Sequence, residues 1–140
     1  TELFYLHARY WCNEIFYKEH FSPEEQERIL LSDLTNPDNP YYGVTGGPDT
    51  QDYIFFLSYE EMEAYMPTAE DRKAVHTTYA FNQPIEYGDN APYYWLRSPG
   101  HNRISALYVW GYSGLLDYMG ADVGHNILGY RPSMWITIGG

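Results

Sequence analysis

Few residues of this chain could carry out covalent or metal chemistry. The single cysteine, Cys12, lies in an apolar stretch with no base near it in the sequence, whereas a reactive thiol needs a neighbour that lowers its pKa. One cysteine also excludes an internal disulfide and a cysteine-based zinc site. The histidines, which show no metal-ligand spacing such as His-x-x-x-His, are His7, His20, His76, His101 and His125. The sequence therefore predicts no catalytic residues and no metal ligands, and hence a protein that is not an enzyme.

Acidic pairs are abundant, but each has a structural explanation. Each pair follows a Ser or Thr by two residues, and this pattern is typical of a helix start in which the acids face the positive end of the helix dipole. A glycosidase would need two carboxylates facing each other across a cleft, and no two acids stand out for that role. The three segments are Ser22-Pro23-Glu24-Glu25, Ser58-Tyr59-Glu60-Glu61 and Thr68-Ala69-Glu70-Asp71.

One loop offers hard oxygen ligands. Its acids and amides are Asn36, Asp38, Asn39, Asp49 and Asp52, and they lie among prolines and glycines. A structural Ca²⁺ is one interpretation, although the spacing is not that of an EF-hand. The other interpretation is that these side chains form Asx turns with the local backbone. No other cofactor is expected.

Aromatic residues are unusually frequent, at 19% of the chain with 16 Tyr and 4 Trp. Nine of the tyrosines and tryptophans lie in residues 91–140, which carry a net charge of +1, whereas residues 1–90 carry −12. Tyrosine and tryptophan in excess are typical of binding surfaces, so we expect those of the last third to face solvent. The alternative is that Trp110 and Leu115 belong to the core or to a dimer contact. The predicted ligand-binding residues are His101, Asn102, Arg103, Trp110, Tyr112, Tyr118, Asp122, His125 and Asn126.

The charge and hydropathy exclude several classes of partner. A net charge of −11 disfavours nucleic acid and anionic membranes. No apolar run reaches the length of a membrane span, so direct membrane insertion is not expected. A chain that begins at Thr1 without an initiator Met is interpreted as a mature or cropped form.

The elements that must position these residues follow from periodicity. Apolar residues at Phe4, Ala8, Trp11 and Ile15 predict a helix over residues 3–19. Three helices are predicted to start at the capping segments. Two stretches, residues 35–49 and residues 82–92, are predicted as loops. The predicted strands are Tyr53–Leu57, Tyr93–Arg97, Ser105–Trp110, Leu115–Met119 and Met134–Ile138. Together they predict one α+β domain over residues 1–140, with helices first and a small, mainly antiparallel sheet after them.

Two arginines stand beside apolar strands. Arg97 and Arg131 are therefore predicted to find partners inside the fold, and Arg103 is predicted to lie at the surface.

Several motifs resemble those of a bacterial family of unannotated domains. That family typically reads W-W-L-R-S-P-G, then A-x-x-V, then G-V-R-P-A-x-W-I, with W-L-N-x-x-F-Y and F-S-x-E-E nearer the start. The resemblance covers about residues 6–137 in order. The matching segments are Trp11–Tyr17, Phe21–Glu25, Asn39–Asp52, Leu57–Glu61, Tyr94–Gly100, Ala106–Val109 and Gly129–Ile136.

This resemblance implies a C-type-lectin-like fold, with two or three helices on the sheet and long loops. The family is similar in layout to formylglycine-generating enzymes and to the variable proteins of diversity-generating retroelements. In those variable proteins a rigid scaffold presents a solvent-facing patch that binds other molecules. The resemblance thus implies a non-catalytic display domain, extracellular or at the cell surface, whose ligand is a protein or a cell-surface glycan.

Departures from the family pattern limit the other interpretations. Cys12 stands where the family has Leu, and Tyr130 and Ser133 replace Val and Ala. The C-terminal cysteines of formylglycine-generating enzymes and the sugar-binding triplets of calcium-dependent lectins are missing. An enzyme of that type, an unassigned hydrolase and a structural assembly module that forms homo-oligomers remain as alternatives.

Overall fold

The computed structural model describes residues 2–83, 92–124 and 128–139. Helices dominate the first half and antiparallel strands follow, which confirms the predicted α+β class. The α-helices are Glu2–Tyr10 (α1), Tyr17–His20 (α2), Pro23–Arg28 (α3), Tyr59–Tyr65 (α4), Ala69–Arg72 (α5) and Thr78–Phe81 (α6). The strands are Ser32–Leu34 (β1), Thr50–Asp52 (β2), Tyr94–Pro99 (β3), Ser105–Trp110 (β4) and Leu115–Asp122 (β5).

The predicted first helix is present but contains a wider turn. A π-helical segment, Trp11–Phe16, joins α1 to α2. It carries Asn13, whose Oδ1 accepts the backbone N–H groups of Tyr53 (2.8 Å) and Ile54 (3.0 Å). The Asn13 Nδ2 donates to the carbonyls of Ile54 (2.9 Å) and Arg9 (3.1 Å). One amide therefore uses both its donors and its acceptor to dock the helix onto residues 53–54.

The three predicted capping boxes are all present. Ser22, Ser58 and Thr68 each accept the N–H of the residue three positions on, and that residue's carboxylate reaches back to the cap. The described chain has more helical segments than the two or three that the resemblance implies, because each of the four predicted from the sequence is present. The helix α6, which Thr77 caps, was not predicted. Among the helices of the described chain, none is long and apolar enough to cross a membrane.

The sheet of the last third has the order β3-β4-β5 and is antiparallel throughout. Its strands match the three predicted in this region, although β5 extends to Asp122. A second small sheet pairs β1 with β2 antiparallel, with Ser32 opposite Asp52, and was not predicted. The predicted loop over residues 35–49 connects these two strands.

Two of the predicted strands are wrong, because these segments do not form regular strands. Residues 53–57 and 134–138 form only isolated bridges, Phe55 with Ser133 and Ile136 with Ile29. The Phe55 N–H bonds to the Ser133 carbonyl at 3.0 Å, whereas the Leu57 carbonyl accepts from the N–H of Arg97 at 3.1 Å. Because successive backbone groups bond to different segments, no continuous ladder forms.

The core lies on both faces of the β3-β4-β5 sheet. Alternate side chains of a strand point to opposite faces, so neighbours such as Trp95 and Leu96 enter different clusters. The cluster beneath α4 contains Leu57, Met62, Leu96, Leu107 and Val109. The cluster beneath the N-terminal helix contains Cys12, Ile54, Phe56, Trp95 and Ala106. Tyr94 and Trp95 are therefore core residues, and the expectation that the aromatics of the last third all face solvent is wrong for these two.

The two strand-flanking arginines have internal partners, as predicted. Arg97 is 4% exposed; it forms a salt bridge with Glu61 and donates to the Thr35 carbonyl (2.7 Å) and to Asn36 Oδ1 (3.0 Å). Arg131 donates to the Tyr94 hydroxyl at 2.8 Å, and its guanidinium lies 4.9 Å from the centre of that ring. Both arginines serve the framework.

Candidate functional site

The predicted ligand-binding residues fall into separate groups. His101, Asn102 and Arg103 lie in the turn between β3 and β4, whereas Trp110 and Tyr112 lie where β4 turns into β5. The two turns stand at opposite ends of β4, about 16 Å apart for a strand of this length. The predicted residues of these two turns therefore do not form one patch.

Of the remaining predicted residues, the structure describes Asp122 and Tyr118, and these do not bridge the two ends. Asp122 pairs with Ser105 at the β3–β4 end. Tyr118 packs against the core cluster beneath α4. His125 and Asn126 lie outside the described residues. Since the two turns are separate, each end has to be judged as a surface of its own.

The β3–β4 turn is built by local hydrogen bonds. His101 Nδ1 lies 2.8 Å from the Met119 carbonyl, while the Ser105 hydroxyl lies at 3.4 Å. The carbonyl has only lone pairs, so Nδ1 carries the proton and cannot accept one from Ser105. Ser105 is itself buried, and its oxygen accepts from the N–H of Asn102 at 3.1 Å. This geometry does not activate a serine nucleophile.

Among the predicted binding residues that the structure describes, the most exposed aromatic side chains lie at the β4–β5 end. Trp110 is 43% exposed and meets the ring of Tyr93 edge-on at 5.1 Å. Tyr112 is 69% exposed, and Leu115 beside it is also exposed. The expectation of outward-facing aromatic side chains is met at this end of the sheet. Behind them Tyr108 donates to Asp117 at 3.0 Å; burial, the charge of Asp117 and this hydrogen bond raise the pKa of Tyr108 to about 12.

An open groove of about 400 Å³ lies between α6 and this turn, and we call it the aromatic groove. Sequence reasoning identified Tyr112 but missed the residues contributed by the segment around α6. The sequence signal that could have identified them is a set of apolar residues, Val75, Tyr79 and Phe81, spaced through a polar stretch directly after a capped helix. The lining residues are Val75, His76, Thr77, Thr78, Phe81, Asn82, Pro92 and Tyr112.

The turn that carries Tyr112 is held close against its neighbours. The N–H of Ala74 donates to the Gly111 carbonyl at 3.0 Å, which ties the segment before α6 to the turn. A Cβ on Gly111 would lie 2.0 Å from the Pro92 carbonyl oxygen, and one on Gly114 would lie 1.7 Å from that of Ala69. Backbones can approach this closely only where one residue is glycine. Gly111 and Gly114 therefore allow the turn to pack directly against the backbone of Pro92 and Ala69.

The calcium site is not supported by the described residues. Asn36 is engaged with Pro48 and Arg97, Asp38 accepts from the N–H of Gly46, and Asp52 binds Arg9 at 2.8 Å. Within the described ranges there is no group of three or more His, Cys, Asp or Glu side chains that could hold a metal ion. The oxygens of this loop thus serve several separate protein contacts, and the Asx-turn interpretation fits Asn39, whose Oδ1 accepts the N–H of Tyr41 two residues on.

Cys12 is held in an environment that suppresses thiolate formation. It is 2% exposed, and burial together with the negative charge of Asp52 raises its pKa to about 12. A thiol that stays protonated in an apolar site is a poor nucleophile.

We therefore expect native Cys12 to react with iodoacetamide at pH 8 about 1,000-fold more slowly than the thiol of the urea-unfolded chain. The raised pKa alone lowers the thiolate fraction by about this factor, and burial lowers access further. Mass spectrometry of quenched samples measures both rates. Equal rates in the folded and unfolded chain would contradict the packing role and favour the enzyme alternative.

Comparison with known proteins adds a family but no activity. No curated protein and no solved structure matches the chain. A family model described as "Domain of unknown function (DUF6273)" matches residues 6–138, nearly the stretch over which the motifs resemble a bacterial domain family. Because this match covers almost the whole sequence, the chain belongs to the DUF6273 family.

Proposed function

We propose that this chain is a non-catalytic binding domain whose ligand is a neutral carbohydrate held in the aromatic groove. The observation that carries the proposal is the composition of the lining. It combines the apolar side chains of Val75, Phe81 and Tyr112 with the polar side chains of Thr78 and Asn82. Concave sites of this kind, mostly apolar with a few polar groups, are where small ligands bind.

The chemistry of the lining favours a sugar over a charged ligand. The lining residues named above include no Asp, Glu, Lys or Arg, although 19% of the chain is charged. One face of a pyranose ring presents C–H groups that pack on an aromatic ring, and its edge presents hydroxyls that need hydrogen-bond partners. Tyr112 and Phe81 supply ring surface, and the Thr78 hydroxyl and Asn82 amide supply partners.

The rigid turn supports recognition because a ligand then orders little of the protein when it binds. Tyrosine and tryptophan add contact area at a low cost in side-chain entropy. Tyr112 and Trp110 stand on a turn whose glycines lie against the backbone of Ala69 and Pro92. This end of the sheet therefore has the properties of a prearranged platform.

The finer assignment of the fold belongs to the same proposal. A C-type-lectin-like scaffold agrees with helices that come first and an antiparallel sheet formed late in the chain. A variable protein of a diversity-generating retroelement would present its turns in this way, and a cell-surface glycan would place the domain outside the cell. A reverse transcriptase gene beside a near-repeat of the 3′ coding end would support diversification, and its absence from the gene neighbourhood would count against it.

A glycan array that carries both neutral and acidic oligosaccharides tests the function. We expect binding to neutral glycans, and we expect Tyr112→Ala to weaken it about tenfold, as truncation of a central aromatic contact does. Tyr41→Ala is the matched control, because Tyr41 is equally exposed but lies near the other end of the sheet; it should leave glycan affinity unchanged.

Two results would overturn the carbohydrate assignment. One is a preference for acidic glycans, or binding to no glycan at all. The other is a Tyr112→Ala variant that keeps its affinity while its circular dichroism spectrum stays native. If the wild-type chain is an oligomer in light scattering and Tyr112→Ala is a monomer, the groove is a subunit contact and not a ligand site.

A further inference from the structure

A second group of aromatic side chains lies on the sheet face that α4 covers, toward the β3–β4 turn. We call it the tyrosine surface, and it consists of Tyr41, Tyr42, Tyr59 and Tyr118. Tyr118 meets Tyr41 edge-on at 5.0 Å and Tyr59 at 6.0 Å between ring centres. Tyr41 is 71% exposed and Tyr42 is also exposed. These rings present a stepped aromatic surface to solvent.

Carboxylates surround this surface. The Tyr118 hydroxyl donates to Glu63, and the Tyr59 hydroxyl donates to Glu60 at 3.4 Å. Burial raises the pKa of Tyr59, and so do the charge and hydrogen bond of Glu60 and the charges of Glu63 and Asp38. Three exposed acids therefore act on one phenol, while both phenols stay protonated and neutral.

One cation approaches the same region but is engaged elsewhere. The positive charge of Arg72 lowers the pKa of Tyr118, but by less than burial and Glu63 raise it. Its guanidinium donates to the carbonyls of Met66 at 2.8 Å and Pro67 at 3.1 Å. The electrostatic character of the tyrosine surface is therefore negative.

The rings are held in place before any partner arrives. Asn39 Oδ1 accepts the N–H groups of Tyr41 (2.9 Å) and Tyr42 (3.0 Å). Its Nδ2 donates to the Tyr118 carbonyl at 2.9 Å. One buried amide thus joins the loop that carries two of the tyrosines to the strand that carries a third.

We propose that the tyrosine surface binds an arginine-bearing basic segment of a partner protein. A guanidinium stacks on a tyrosine face and donates to a carboxylate at the same time, which an ammonium group does less well. Arg131, which lies 4.9 Å from the ring centre of Tyr94, is an example in this fold of a guanidinium placed against a tyrosine ring. The net charge of −11 steers a basic segment toward the chain.

Binding of defined peptides tests this proposal without knowledge of the natural partner. The probe is a short fluorescein-labelled peptide of alternating arginine and glycine, measured by anisotropy at about 0.15 M salt. Matched peptides carry lysine or citrulline in place of arginine; citrulline keeps the shape and loses the charge. We expect the affinity order arginine, lysine, citrulline, with about tenfold between the first and the last.

Variants locate the contact. Tyr41→Ala and Glu63→Gln should each weaken the arginine peptide about fivefold. Glu27→Gln removes an equal charge from an exposed site on α3, and Tyr112→Ala removes an aromatic ring from the aromatic groove; neither should change the affinity by more than about 1.5-fold.

Three outcomes would overturn the proposal. They are equal binding of the arginine and citrulline peptides, equal losses in Glu63→Gln and Glu27→Gln, which indicate net charge alone, and no binding of the arginine peptide at millimolar concentration. Because Tyr112→Ala separates the two surfaces, failure here leaves the carbohydrate proposal standing, and the reverse also holds.

Discussion

Arg97→Lys is expected to lower the free energy of unfolding by about 3 kcal/mol, although it keeps the positive charge. The guanidinium donates to four groups from three segments: Glu61, the Phe56 carbonyl (2.8 Å), the Thr35 carbonyl and Asn36 Oδ1. An ammonium group can retain Glu61 but cannot reach the others in the same fork. Buried acceptors then lose their donor, and each such loss is costly. Urea unfolding followed by tryptophan fluorescence measures the change.

Arg28→Lys is the matched control, because Arg28 is exposed at the end of α3 and the same exchange there removes no buried hydrogen bond. It should change stability by less than about 0.5 kcal/mol. If both variants unfold at the wild-type urea concentration, Arg97 does not organise the interior as described. A fall in the slope of the transition for Arg97→Lys alone would instead indicate that the native state has loosened.

Local signals in the sequence predicted most of the helices and strands. They could not predict which distant segments contact each other. A Ser or Thr followed three residues later by an acid satisfies its own backbone, so the starts of α3, α4 and α5 needed no tertiary information. The need of Arg97 for an internal partner was also predictable from its apolar neighbours. Its partners were not, because Glu61 and Asn36 lie 36 and 61 residues away and come from a helix start and a loop.

The family motifs turned out to describe the framework rather than the function. Asn39, Asp52, Ser98 and Arg97 are all buried and all engaged with other parts of the chain. Such residues specify a fold, which is why they carry no information on a ligand. The residues that line the aromatic groove lie between the motifs.

The candidate site was only partly predictable for a geometric reason. A hairpin strand of six residues puts its two turns at opposite ends, so residues such as Arg103 and Tyr112 are neighbours in sequence and not in space. The aromatic groove also needs Phe81 and Val75, which come from a segment 30 to 40 residues earlier in the chain. The hydrogen bond from the Ala74 N–H to the Gly111 carbonyl joins this segment to the β4–β5 turn, and no periodicity in the sequence predicts it.

Asn39→Asp is expected to destabilise the fold by about 3–5 kcal/mol at pH 7, the range for a buried charge left without a partner. Asn39 is 3% exposed, and its Nδ2 donates to the carbonyls of Pro99 and Tyr118, both at 2.9 Å. The exchange puts a carboxylate oxygen where that donor stood, opposite two carbonyl oxygens. The oxygen that accepts the N–H groups of Tyr41 and Tyr42 is retained in the variant. The loss of stability therefore comes from the missing Nδ2 donor alone.

The pH dependence identifies the cause of that loss. Burial beside two carbonyls raises the pKa of the introduced acid above its unfolded value, so the penalty is present at neutral pH and shrinks as the pH falls below the folded pKa. A protonated acid can donate to one of the two carbonyls, which returns part of the stability. Asn82→Asp adds the same charge at an exposed position and should cost less than about 0.5 kcal/mol at either pH. Thermal unfolding at pH 5 and pH 7 compares the variants, and a penalty for Asn39→Asp that does not shrink at the lower pH would show that the loss comes from the missing amide donor and not from a buried charge.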